Sequence, residues 1–138
     1  MSRSGYGYEL DNWDLIRWRG QVASAIRGKR GQKLVDDLIA ALDTLPAKRL
    51  IANELQTETG EVCALGAVGC LRGISMTDTD PEDYSGVAAT FDIAEQLARE
   101  IMYENDECCP GETPEQRYKR MKRWAMSLKV KPPASASD

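Results

Sequence analysis

The residues best placed to do chemistry are cationic. Arg27-Gly28-Lys29-Arg30-Gly31-Gln32-Lys33 sets four Lys/Arg and two glycines within seven positions, with Arg17 and Arg19 a few turns earlier. Glycine lets backbone N–H groups approach an anion closely, and a helix that begins just after such a loop offers its positive end. Arg27, Lys29, Arg30 and Lys33 are therefore candidates for holding phosphate or an acidic protein surface. Ile26 to Leu34 resembles the Gly-x-x-Gly loop of the KH family, in which two glycines between helices clamp a nucleic-acid backbone. That resemblance covers about nine residues. The plainer reading is a glycine-punctuated interhelical turn with a solvated basic face.

A second cationic set, Arg117, Lys119, Arg120, Lys122 and Arg123, surrounds Tyr118 and Trp124. A basic helix with interleaved aromatics can lie along nucleic acid or an acidic partner. Tyr118, Met121, Trp124 and Leu128 at spacings of three and four also make an ordinary buried stripe, with the cations as its wet side.

The acidic candidates are weaker. Asp78-Thr79-Asp80-Pro81-Glu82-Asp83 alternates oxygen ligands but lacks the glycine and distal glutamate of a calcium loop, so helix capping explains it better. Glu100, Glu104, Asp106 and Glu107 could form a carboxylate cluster; a solvated or partner-facing acidic face is the simpler expectation. Cys63, Cys70, Cys108 and Cys109 lack the spacing of a four-thiolate zinc site, so no metal and no cofactor is expected. Cys63 and Cys70 read as core thiols, Cys108 and Cys109 as loop thiols. The chain has no histidine. That removes Ser-His-Asp and Cys-His nucleophile arrangements and the commonest general base at neutral pH, so a non-enzymatic role is expected.

The elements that must position these residues are helical. Leu15, Trp18, Val22 and Ile26 form one stripe on a helix from Asp11 or Asn12 to Arg27. Leu34, Val35, Leu38, Ile39, Leu42 and Leu45 form another on a helix from Gln32 to Leu45, stopped by Pro46. Arg49–Gln56 and Glu61–Cys63 read as a short two-stranded hairpin across the Glu58-Thr59-Gly60 turn. Ala64–Arg72 is open between strand and helix. Asp80-Pro81 starts a further helix carrying Val87 and Phe91, and another runs from Ile93 to Glu104. Thr113-Pro114-Glu115-Gln116 is a capping box opening a last helix to Leu128. The expected fold is thus mainly α: a compact bundle of about five helices with a short β-hairpin near residues 49–63. Residues 1–11 form an arm, 12–128 one domain, and 129–138 a mobile tail.

With 138 residues, the chain can bury a sizeable core unaided. No apolar run nears the ~20 residues of a membrane span, no signal peptide is visible, and the cysteines do not suggest a secreted scaffold. A cytoplasmic protein with no membrane partner is expected. The net charge of -4 is segregated: residues 1–50 carry nine Lys/Arg against six Asp/Glu, 51–112 two against fourteen, and 113–138 seven against two. Such polarity bears on partners rather than on fold.

Several stretches together, Met1–Tyr6, Ile16–Gly20, Ser24–Gln32, Glu61–Gly69, Asn105–Glu107 and Thr113–Arg117, resemble a family of small, uncharacterised proteins of tailed bacteriophages and prophages. The resemblance implies a phage origin and a site of action in the bacterial host cytoplasm, with no catalytic activity attached. The reading that follows is a small binding protein that acts on a host or phage protein, as an inhibitor of host defence for instance. The alternative is nucleic-acid binding through the loop 27–33. A homo-oligomer is compatible with either.

Overall fold

The first two helices pack against each other across a turn of one residue. In the computed structural model, which describes residues 12–130 except 75, 77 and 78, α1 spans Asn12–Arg27 and α2 spans Lys29–Thr44, with Gly28 between them. The expected N-terminal arm lies outside the described residues. So tight a hairpin requires the chains to touch just after the turn. Gly31 meets that need: a Cβ there would sit 1.9 Å from the Ala25 carbonyl oxygen. The second glycine therefore serves packing. The expected loop 27–33 is instead the last residue of α1, one extended glycine and the first turn of α2.

α2 is the spine, burying Leu34, Val35, Leu38, Ala41 and Leu42. Against it packs α3, Ala64–Leu71, the segment whose type the sequence left open. Cys63 caps it, its Sγ accepting from the Gly66 amide at 3.5 Å. All six residues from Ala64 to Gly69 are buried, and a Cβ on Gly66 would fall 1.8 Å from the Leu55 carbonyl oxygen. A helix this short and this enclosed needs small residues on the sides where backbone approaches.

α4 runs Tyr84–Phe91 and α5 Glu95–Asp106. The start of α4 is Asp83, not Asp80. Asp83 accepts from the Gly86 amide, while Asp80 makes a preceding turn by accepting from the Glu82 amide. Asp92 ends α4 in the left-handed region (φ 55°), which turns the chain into α5. α6, Pro114–Ser127, opens on the expected capping box: Thr113 Oγ1 accepts from the Gln116 amide, and Gln116 Oε1 accepts from the Thr113 amide. The described residues thus form six helices, one more than expected, because the Ala64–Leu71 stretch is helical.

The expected β-hairpin does not form. Among the described residues only one isolated antiparallel bridge, Gln56 with Val62, is present. The reason lies in where the backbone bonds go. The Leu50 carbonyl accepts from Arg117, the Ile51 carbonyl from Asn105 Nδ2, and the Ala64 amide donates to Asn105 Oδ1. Asn53, at φ 70°, breaks any extended run. Side chains of α5 and α6 thus take part of the segment's bonding, and the backbone bonds left across it, from the Ile51, Thr57 and Cys63 amides to the Val62, Glu61 and Leu55 carbonyls, do not line up into a ladder. Asn105, 1% exposed, is the pin of this arrangement.

Beyond α6, Lys129 pairs with Asp36 at 2.8 Å, and the Val130 amide donates to Gln32 Oε1 at 3.1 Å. The start of the expected mobile tail is therefore tied to α2; residues 131–138 lie outside the described set. No helix among the described residues is long and apolar enough to cross a membrane.

A candidate anion-binding surface at the helical-hairpin end

The one-residue turn brings Lys29, Arg30 and Lys33 to one end of the molecule, all exposed. Arg72, the C-cap of α3, reaches the same place. Lys29, Arg30, Lys33, Arg72, Phe91 and Asp92 line a cavity of about 190 Å³. Arg72 is the fixed member: its Nε and Nη2 hold Asp37 Oδ2 at 2.9 and 2.8 Å, and Nη1 donates to the Phe91 carbonyl at 3.0 Å. Asp37 is also within 3.6 Å of Lys33 Nζ, one turn earlier. Arg30 Nη1 meets Asp92 Oδ1 at 3.3 Å, with both side chains mostly in solvent. Lys29 has no ion-pair partner among the described residues.

One local rule is broken here. The positive end of a helix favours acids in its first turn, while glycine is among the residues accepted as the cap before it. α2 has no acid in its first turn, begins with Lys29 and Arg30, and is preceded by Gly28 with no side-chain cap. Cations are thus stacked on a positive dipole end. The arrangement is costly to the isolated chain and favourable to one with an anion in place. The carboxylates within reach, Asp37 and Asp92, are each engaged by a cation, so the cavity presents donors. It suits binding of negative charge and offers no nucleophile paired with a base.

The other sequence candidates are placed elsewhere. Arg17 lies in a shallow groove with Gln21, Ser24 and Gln96. At 1.5 Å rise per residue it is about 15 Å from Arg27 along α1. Arg19 is exposed on the same helix, and Arg27 and Gly28 flank the cavity without lining it. Gly31 is buried in the interhelical contact.

The basic face of α6 divides. Arg117 and Arg120 point inward: Arg117 donates to the Asn105 and Leu50 carbonyls, and Arg120 holds both oxygens of Glu112 at 2.8 and 2.9 Å. These two are fold clamps. Lys122 pairs with Asp43, while Lys119 and Arg123 are exposed. The Arg120 hydrogen bonds hold the Glu112 carboxyl below the usual carboxylate range, with Arg117 adding to the effect, and raise Arg120 in turn.

Of the acids, Glu104 is pushed up by burial and by Glu100, with Arg120 opposing. Asp106 accepts from the Asn53 amide and from Asn105. No group of three or more potential ligands capable of holding a metal occurs among the described residues. Cys63 is buried, as expected of a core thiol; Cys70 is exposed and so is not the core thiol expected, because the buried run of α3 ends at Gly69.

Arg72 is the site residue that sequence reasoning missed. The signal was its rarity: residues 51–112 contain only two basic residues, Arg72 and Arg99. A lone cation closing an apolar helix has a tertiary reason to be there. Comparison of the chain with family models, with curated proteins and with solved structures returns no match.

Proposed function

We propose that this chain is a non-enzymatic binding protein that docks the cationic end of its α1–α2 hairpin onto an acidic surface of another protein. The carrying observation is the convergence of Lys29, Arg30, Lys33 and Arg72 on one cavity, on top of an uncapped, acid-free helix start. Opposed charge of this kind speeds encounter and selects partners more than it adds affinity. The resemblance of several stretches to phage and prophage proteins supports a role in the bacterial cytoplasm during infection or lysogeny, acting on a host or phage protein. Inhibition of a host defence complex is the task that such an origin suggests.

Nucleic acid is the weaker ligand. Affinity for a duplex or strand grows with the number of phosphates neutralised. Here the cations do not form a track: Arg17 and Arg19 lie well along α1, Arg117 and Arg120 face inward, and Asp37 and Asp92 sit among the cations of the cavity.

The test compares the parent chain with a Lys29→Glu/Lys33→Glu variant, each immobilised and exposed to nuclease-treated bacterial lysate. The expected result is an acidic protein retained by the parent, released by salt and absent from the variant. Equal retention by both overturns the reading. A labelled oligonucleotide that stays bound to the parent at moderate salt, and is lost in the variant, gives the site to nucleic acid instead.

A further inference from the structure

The loop between α5 and α6 carries two adjacent cysteines that the anion-binding reading does not use. Cys108 is exposed and Cys109 half-buried, and their Sγ atoms lie 2.8 Å apart. The loop is anchored on both sides. The Glu107 amide donates to the Tyr103 carbonyl, and Glu112 is locked to Arg120. The two thiols are thus held in contact on a pre-shaped turn, away from the cationic end.

A direct bond between them is unfavourable. Neighbouring Cα atoms are about 3.8 Å apart across a trans peptide, short of the roughly 4.4–6.8 Å that disulfides span. A single atom placed between the sulfurs enlarges the ring and removes that strain. A tetrahedral zinc site needs four donors, and the described residues hold no group of three. A linear two-coordinate ion needs its sulfurs on opposite sides. A pyramidal trivalent centre takes two sulfurs on neighbouring corners, which matches thiols in contact.

The surroundings refine the choice. The hydrogen bond with Cys109, burial and the nearby Glu104 carboxyl push the Cys108 thiol up to about 11, so it is protonated at neutral pH. A neutral Cys108 thiol beside the Glu104 carboxyl, with Arg120 opposing it, suits a neutral electrophile.

We propose that Cys108 and Cys109 form a vicinal-dithiol site for trivalent arsenic, held in contact by the α5–α6 loop. With arsenous acid, two As–S bonds form and two As–O bonds break. The two thiol protons leave with the departing oxygens as two waters, and arsenic keeps its third hydroxyl. No electrons are exchanged.

The test adds phenylarsine oxide to the full chain and weighs the intact protein. One adduct per chain is expected, with loss of one water, stable to excess 2-mercaptoethanol and removed by 1,2-ethanedithiol. Cys108→Ser and Cys109→Ser should each abolish it; Cys70→Ser should not. Tryptic digestion places the adduct independently of any variant: it belongs on the peptide 100–117, which carries both cysteines. No adduct on the parent chain, release by the monothiol, an adduct on a peptide carrying Cys63 or Cys70, or a serine variant that still binds would each overturn the proposal.

Discussion

Replacing Lys29 with glutamate should make the protein more stable and less able to bind. Lys29 is the first residue of α2, exposed, with no acid in that turn and no side-chain cap before it. A charge at a helix end is worth about 0.3–1 kcal/mol, and reversing its sign removes a penalty and adds a gain. Exposure of Lys29 favours the low end of each, giving about 0.6 kcal/mol. A glutamate at 29 also faces Lys33 one turn on, for about 0.3 kcal/mol more, although Lys33 is shared with Asp37. For a domain of this size the sum is a rise in melting temperature of about 3 °C. Calorimetry at low salt measures it. At ~1 M salt, where screening acts within about 3 Å, the gain should largely vanish. A melting temperature that falls or stays level at low salt refutes the view that these cations are kept at the expense of stability.

Four further substitutions probe the frame around the site. Gly31→Ala should cost about 2–3 kcal/mol in denaturant unfolding, because its Cβ meets the Ala25 carbonyl and the one-residue hairpin cannot open without moving α1. Asn105→Ala should cost a similar ~2–3 kcal/mol, since the Ala64 amide and the Ile51 carbonyl lose their buried partner. Glu112→Gln should change the pH profile of unfolding free energy. Because Arg120 holds the folded Glu112 carboxyl low, its stabilisation is present above the unfolded carboxylate pKa and is lost as pH falls through the lowered folded value, so the variant's acid limb should be shallower. Glu104 acts in the opposite sense. Its folded pKa is raised, so its contribution is present below the unfolded value and is lost as pH rises through the folded one. Glu104→Gln should flatten that higher limb. A profile unchanged by either substitution would show that neither group couples to folding.

What the sequence disclosed followed from contrast between faces. α2 alternates buried leucines with wet aspartates, and α6 opens on Thr113-Pro114 with Gln116 three residues past the cap, so both were legible. α3 was not, because Ala64–Gly69 is enclosed on every side and carries no periodic contrast to read. The 49–63 segment misled for a different reason. Its weak alternation suggested two strands, yet the Leu50 and Ile51 carbonyls are taken by Arg117 and Asn105, more than fifty residues away, and only scattered backbone bonds join its two halves. The site was half legible. Lys29, Arg30 and Lys33 are neighbours in sequence and declared themselves. Arg72, Phe91 and Asp92 arrive from other elements, brought in by the packing of α3 on α2 and by the bonds of Arg72 to the Phe91 carbonyl and of Arg30 to Asp92. Gly-x-x-Gly read as a loop because glycine's freedom and glycine's small size leave the same mark; here Gly31 is present for its size. Arg117 and Arg120 looked like surface cations because Glu112 and the Leu50 carbonyl, their partners, lie in separate segments.

The central claim is that negative charge is received at the end of the α1–α2 hairpin. Backbone-amide NMR of the isotopically labelled chain, titrated at low salt with a peptide rich in aspartate and glutamate, tests it most directly. Shifts should concentrate at Gly28–Lys33, Arg72 and Asp92, and disappear in the Lys29→Glu/Lys33→Glu variant. Shifts centred on Lys119 and Arg123, on Arg17, or spread evenly over every exposed cation would contradict the account.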